Sequence, residues 1–464
     1  MNFDNQKAGY NQVGTDINSV NPFKFVTQAY NGSGGFRDGS YLFPFAREFD
    51  FKSRKNQSFY ENFTKGVADS LYIPVFSELA DRQTNSDMWM EFIGNADNNG
   101  NHIQSVMKVA GKYATLHGIS FIVMDNFEET PESLQVAIDT RTFPYIYVKT
   151  ADQVAHYEID EFGRLTEIDF HDGEYEIYDD TDKEVEMRAY RHWNATETYR
   201  FYIGKDDKKV VIGSVRTHDL GKIPVIPLQK DMDYEEFLCN PPFYDIARMN
   251  CAIFNGSSEL NNIQRQQAFS LLVIPSNDQN PNMEIGANSV LVVDPASSIT
   301  PVFISPDSTI MTVVQANIDS IVKSLLDSAD ALGATAMSNG NSFKSGVAMG
   351  YAFMGQNFVL TQMAQLVTKA EYQIAEMFKL YTNTEFEYVV RYESNYKPNI
   401  ADVKIKYDIL ERMIELDLSP AINSQLKSSA IEILQSMFDI EECDIEKLRG
   451  LVAQENQSMS GSID

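Results

Sequence analysis

The chain has 464 residues, 43% of them hydrophobic, and a formal net charge of −28. That length and apolar content allow two or three structural units with real cores, and they exclude wholesale disorder. The acidic balance has the wrong sign for a protein that grips nucleic acid through a basic patch, and fits either plain solubility or repulsion of a polyanion passing close by. The three cysteines, Cys239, Cys251 and Cys443, supply neither a disulfide framework nor a thiolate metal site, and they suit a reducing cytoplasm. The first twenty residues lack the apolar run of a secretory leader, and no stretch reaches about 18 apolar residues, so no membrane partner is expected.

Residues 1–50 (NGSGGFRDGSYLFPF within them) are rich in Asn, Gly and Phe and read as an extended arm that packs through its aromatics. From 57 to 116 the pattern is helical, with Ile103, Val106, Met107 and Ala110 on one stripe. GISFIVMD, 118–125, reads as a short buried strand ending in Asp125. Between 141 and 229 the texture turns to period 2, with turns such as HDG and GKDD, which predicts an antiparallel β region with an acidic outer face. Two prolines in GKIPVIPL close it.

A long helix is expected over 243–271. Its polar side is mostly uncharged (Asn250, Asn255, Ser258, Asn261, Gln264 among others), where a wet face would carry Lys and Glu. Such a side suits hydrogen bonding to other protein. Residues 272–306 form a compact insertion with strand-like pieces. A second amphipathic helix spans 308–332, striped by Ile310, Val313, Ile318, Ile321 and Leu325. The polar stretch SNGNSFKSG follows, then a third long helix over 346–381. A strand over 385–394 and helices near 401–417, 421–438 and 443–454 complete the predicted elements, so the fold class is α+β.

Enzymatic constellations are scarce. The six histidines form no HxH and no HExxH, so no zinc site is expected. NADNNGN, 95–101, lacks the glycine spacing of a calcium loop and reads as a turn between helices. The 338–346 stretch is not a phosphate-binding loop. Phe343 stands where a glycine must precede Lys344 and Ser345, and a helix rather than a strand comes before it. The acids of DFHDGEYEIYDDTD read as a solvated face. No cofactor is expected.

The order and wording of these segments resemble the portal proteins of tailed bacteriophages over roughly residues 50 to 440. The resemblance begins in NADNNGNHIQSVMKVAGKYATLHGISFIVMD and continues through RTFPYIYVKTADQVAHYEID and GKIPVIPL. It is carried on by PPFYDIARMNCAIFNGSSELNNIQRQQAFSLLVIP and by SFKSGVAMGYAFMGQNFVLTQMAQLV. It implies an N-terminal arm (1–50), a wing (51–240), stem helices (241–271 and 307–332) around a small clip (272–306), and a tunnel loop (333–345). A long kinked wing helix and strand (346–394) and a helical C-terminal crown (395–464) follow. The loop residues Asn339, Asn341, Ser342, Phe343 and Lys344 would face DNA, and Gly346, Gly350 and Gly355 would loosen the helix for a kink, unless they serve tight helix packing. Lys344 is the one charge between Asp330 and Lys369. It points either into the lumen or to Asp327 or Asp330 of a neighbouring subunit.

The resemblance further implies a homo-oligomeric ring of about twelve copies at one vertex of a virion capsid, assembled in the bacterial host cytoplasm. Double-stranded DNA would pass through it. Terminase large subunit, head–tail adaptor, major capsid and scaffolding proteins would be its partners, and it would have no catalysis of its own. The alternatives are a cytoplasmic α+β metal-assisted hydrolase and another phage head–tail connector ring.

Overall fold

A computed structural model of the chain describes residues 19–392, apart from 45–47, 49–50, 128–135, 137–141, 179–183, 205–209, 219, 231–235, 268–270, 276–289, 294–301, 305–308 and 333–345. The fold is α+β. In chain order the helices and strands are α1 (Pro22–Asn31), α2 (Phe51–Gln57), α3 (Phe63–Tyr72), β1 (Asp81–Thr84), α4 (Asp87–Gly94), α5 (Ile103–His117), β2 (Ile119–Asp125), β3 (Tyr145–Thr150) and β4 (Val154–Ile159). There follow β5 (Leu165–Tyr178), β6 (Glu184–Trp193), β7 (Glu197–Gly204), β8 (Val210–Thr217), β9 (Val225–Gln229) and α6 (Tyr244–Gln267). The last are β10 (Leu271–Pro275), β11 (Val290–Val293), β12 (Val302–Ile304), α7 (Thr309–Ala331), α8 (Gly346–Thr382) and β13 (Tyr388–Arg391).

The chain divides into two compact units. The first takes residues 1–68, 116–118 and 238–329. Its N-terminal part is helical where an extended arm was expected. Asn21 caps α1 by accepting from the N–H groups of Phe23 and Lys24, and Pro22 sits at the first helical position, where no N–H is needed. The expected aromatic packing is present. Phe36 lies 5.6 Å from Phe25, 5.0 Å from Tyr41 and 4.4 Å from Tyr60, and Tyr60 meets Phe254 of α6 edge-on at 5.7 Å.

The uncharged side of α6 does face protein, and the protein is this chain's own N-terminal part. The buried Asn250 Oδ1 accepts from Tyr60 Oη at 2.7 Å and from Thr64 N and Oγ1 at 3.0 and 2.9 Å, while its Nδ2 donates to the Glu61 carbonyl at 2.8 Å. Asn255 accepts from Phe43 N and donates to the Tyr41 carbonyl, and Ser258 meets both Arg54 and Ser58. Each amide thus replaces the water it loses on burial, which keeps these polar residues from costing stability.

The second unit holds the remaining residues. Three of its sheets matter here: β3–β2–β9, the five-stranded β4–β5–β6–β7–β8, and the pair β1–β13. Every pairing in them is antiparallel. All seven residues of β2 are buried, as its continuous apolar run predicts for a central strand covered on both faces. Period 2 splits β5 and β6 as well. Ile168, Phe170 and Trp193 turn to the dry side, where Phe170 meets Phe121 of β2 at 5.4 Å, and Glu167, Asp169 and His192 turn the other way. The segment 57–116, expected to be helical throughout, contains β1. Its hydrogen bonds go to β13, about 300 residues later (Asp81 pairs Arg391), and local periodicity cannot show such a partner.

Asp125, at the end of β2, is 1% exposed. It accepts from Arg191 Nη2 at 3.0 Å, from Arg216, and from Tyr145 Oη at 3.4 Å. One carboxylate thereby joins β2, β3, β6 and β8. NADNNGN is a turn between α4 and α5, shaped by Asp97, whose Oδ1 accepts from the N–H groups of Asn99 and Asn101.

Candidate functional site

The DNA-facing residues expected at Asn339, Asn341, Ser342, Phe343 and Lys344 lie outside the described residues, as do the helices expected beyond 395. Gly346, Gly350 and Gly355 fall within the first ten positions of α8, a 37-residue helix that runs from Gly346 to Thr382. At about 1.5 Å per residue it is roughly 55 Å long.

The described portion of the expected stem and clip lies in the first unit as far as Ala329. Helix α6 leads into the sheet β11–β10–β12, in which β10 pairs parallel with β11 and antiparallel with β12, and α7 returns from it. Gly256 lets the two helices approach, since a Cβ there would lie 3.0 Å from Ile318 Cγ1. The stripe of α7 is covered only in part. Ile318 and Leu325 are buried, whereas Ile310 is 53% and Val313 64% exposed at its N-terminal end. An amphipathic helix normally hides such a stripe; here one half of it faces outward.

In the second unit, α8 is anchored by a buried ionic centre. Glu371 is fully buried and accepts from Arg82 Nε and Nη2 at 2.7 and 3.1 Å, from Tyr392 Oη at 2.6 Å, and from Tyr388 Oη. Arg82 also donates to Tyr392 Oη at 2.7 Å and to Gln104 Oε1 at 3.1 Å. Burial, together with the Glu371 carboxylate, pushes the phenols of Tyr388 and Tyr392 far above their ordinary value near 10, so both remain donors. The carboxylate has its lone pairs filled, and the guanidinium has an acceptor on each nitrogen. This is the arrangement of a structural clamp, since no atom is left over for a substrate.

Sequence reasoning missed a third cluster. Asp169 and His192 are direct cross-strand partners, with His156 on the other side of Asp169 in register. His192 Nδ1 is 2.7 Å from Asp169 Oδ1 and 3.7 Å from Glu167 Oε1, and its ring stacks on Tyr199 at 4.5 Å. The ligand atoms of Glu167, Asp169 and His192 all lie within 4.8 Å of one another. A search along the chain for HxH could not find this group, because β pairing assembles it. No family model and no curated protein matches this chain.

The histidine's hydrogen bonds decide what the cluster can do. Asn194 is held in one orientation, its Oδ1 accepting from the N–H groups of Thr196 and Glu197 at 2.8 Å each. Its Nδ2 therefore faces His192 Nε2 at 3.2 Å, so the neutral ring carries its proton on Nδ1 and donates it to Asp169. Burial lowers the His192 pKa, but the bond to Asp169 and the charges of Asp169, Glu167 and Glu197 outweigh it and raise the value above 6.5. In both protonation states Nδ1 is committed to Asp169. A metal ion would have to displace that proton and oppose Asn194, so the geometry favours a hydrogen-bonded cross-strand pair over a ligand set. Adding Zn²⁺ or Mn²⁺ in tenfold excess should move the thermal midpoint by less than about 1 °C, because without binding there is no mass-action stabilisation. A rise of several degrees, lost in His192→Ala, would establish a metal site.

Proposed function

We propose that this chain is the subunit of a phage portal ring, set at one capsid vertex, through which double-stranded DNA is packaged and ejected. The observation that carries the reading is α7. A helix with half of its apolar stripe exposed, at Ile310 and Val313, fits a surface that identical neighbours cover in a closed ring. The order helix, small sheet, helix, long helix over Tyr244–Thr382 supports it, as does the resemblance of the segments quoted above.

The charge suits such a channel. Each phosphate neutralised adds affinity and hence friction, so a conduit gains from a subunit with net charge −28. Isolated cations such as Lys344 would give weak, exchangeable contacts. In this reading the protein is a conduit and docking platform for the terminase and the head–tail adaptor, the family implies twelve copies, and ATP hydrolysis belongs to the separate motor. Deleting residues 338–344 should leave ring assembly intact while impairing packaging or retention of DNA, measured as encapsidated genome per particle. A chain that no longer assembles after this deletion would make the loop a structural element and overturn its assignment.

A further inference from the structure

The second unit carries a groove of about 970 Å³ between the turn joining β4 to β5, strand β9 and the C-terminal half of α8. Its floor is apolar, built from Leu165, Ile226, Leu228, Phe237 and Met377, all buried in the fold. Its rim is cationic. Arg164, Lys222 and Lys369 line it against the single acid Glu376, and Glu376 is already bonded to Lys379 at 2.9 Å. Arg164 is likewise paired, with Asp160 at 2.9 Å. Lys222 and Lys369 are exposed, and neither ammonium has a carboxylate partner among the described residues. Thr368 lines the same groove, and its buried Oγ1 has no hydrogen-bond partner among the described residues.

An apolar cleft with a net positive rim is out of keeping with a chain of charge −28 unless something acidic and partly apolar occupies it. The chain carries such a segment beyond its described part. Residues 437–446, MFDIEECDIE, contain Asp439, Glu441, Glu442, Asp444 and Glu446 with no basic residue, alongside Met437, Phe438, Ile440 and Ile445. We infer that this acidic segment docks in the groove, its apolar side chains on the floor and its carboxylates on Lys222 and Lys369. The tether permits it. From Tyr392, the last described residue, 45 residues intervene before Phe438, and at roughly 3.3 Å each they reach far across any domain. A tethered segment meets its site at millimolar effective concentration, on the order that single exposed ion pairs and a few apolar contacts can hold. The inference does not depend on ring formation.

Cys443 lies inside the segment and serves as its reporter. In the full chain, with Cys239→Ser as background, Gln373→Cys places a thiol on the groove rim, since Gln373 is exposed and lines it. Cys251 stays silent, because burial pushes its thiol up to about 12. Under mild oxidation the introduced thiol should form a disulfide to Cys443 within one chain, read by non-reducing electrophoresis and peptide mass. Adding Lys222→Glu and Lys369→Glu should cut the yield about tenfold. Ser214→Cys on the exposed edge strand β8, in place of Gln373→Cys, should give under a tenth of it. Equal yields at the two positions, or no response to charge reversal, would overturn the inference. So would a ladder of covalent multimers, which would assign the groove to a neighbour's segment instead.

Discussion

Glu371→Ala should destabilise the protein by about 3–5 kcal/mol, the cost of leaving one member of a buried ion pair uncompensated. Arg82 would then be the stranded charge, with a side chain only 7% exposed and its partner's site dry. The loss extends further than one bond, because two phenols also donate to that carboxylate. Glu371→Gln keeps the shape and one acceptor and should cost less, while Tyr392→Phe, which deletes one hydroxyl, should cost about 1 kcal/mol. Urea unfolding with a fixed slope checks all three. If Glu371→Ala unfolds within 1 kcal/mol of the parent, the centre contributes little and α8 is held by packing alone. The apolar alternative is substantial: Trp89, Phe92, Phe378 and Phe386 form one aromatic cluster, with Trp89 and Phe92 stacked at 4.8 Å and Phe378 5.1 Å from Trp89.

Ile310→Asp together with Val313→Asp should abolish ring formation while leaving the subunit folded. Both side chains are more than half exposed in the single chain, so the substitutions should change its stability by under about 0.5 kcal/mol. In a ring the same carboxylates would be buried at every subunit boundary without partners. Each such charge costs several kcal/mol, and a closed ring repeats the cost all the way around. Mass photometry reads the result directly, as a large assembly for the parent and single subunits for the variant. A parent chain that stays monomeric at micromolar concentration would defeat the ring reading. Assembly of the variant as well would move the interface elsewhere.

Local patterns made much of the fold legible. The continuous apolar run of 119–125, the alternation between 141 and 229, and the 3.6-residue stripes of the three long helices correspond to β2, to β3–β9 and to α6–α8. The helix α1 was readable from Asn21 followed by Pro22, but the density of Gly and Asn just after it favoured an extended reading. The buried centres were not readable. Arg82 and Glu371 stand 289 positions apart, and each looks like an ordinary surface charge in its own neighbourhood. Asp169 and His192 are partners only because β5 pairs with β6 in this register, and sequence spacing carries no trace of a cross-strand pair. The uncharged side of α6 is unusual for a wet helix face, yet nothing in its spacing says that its partners are residues 41–64 of the same chain.

The pairing of β1 with β13 has a consequence for synthesis. Arg82 and Tyr392 are separated by 310 positions, so at roughly 5–20 residues per second the ribosome needs about 15–60 s after making one to make the other. During that interval Trp89 and Phe92 have no Phe378 or Phe386 to lie against, and Arg82 has no counter-ion. The nascent second unit is therefore a sticky, half-finished body for most of its translation. A chaperone that binds exposed apolar chain should hold it until the last strand emerges, and production should suffer most in cells where that holding is weakest.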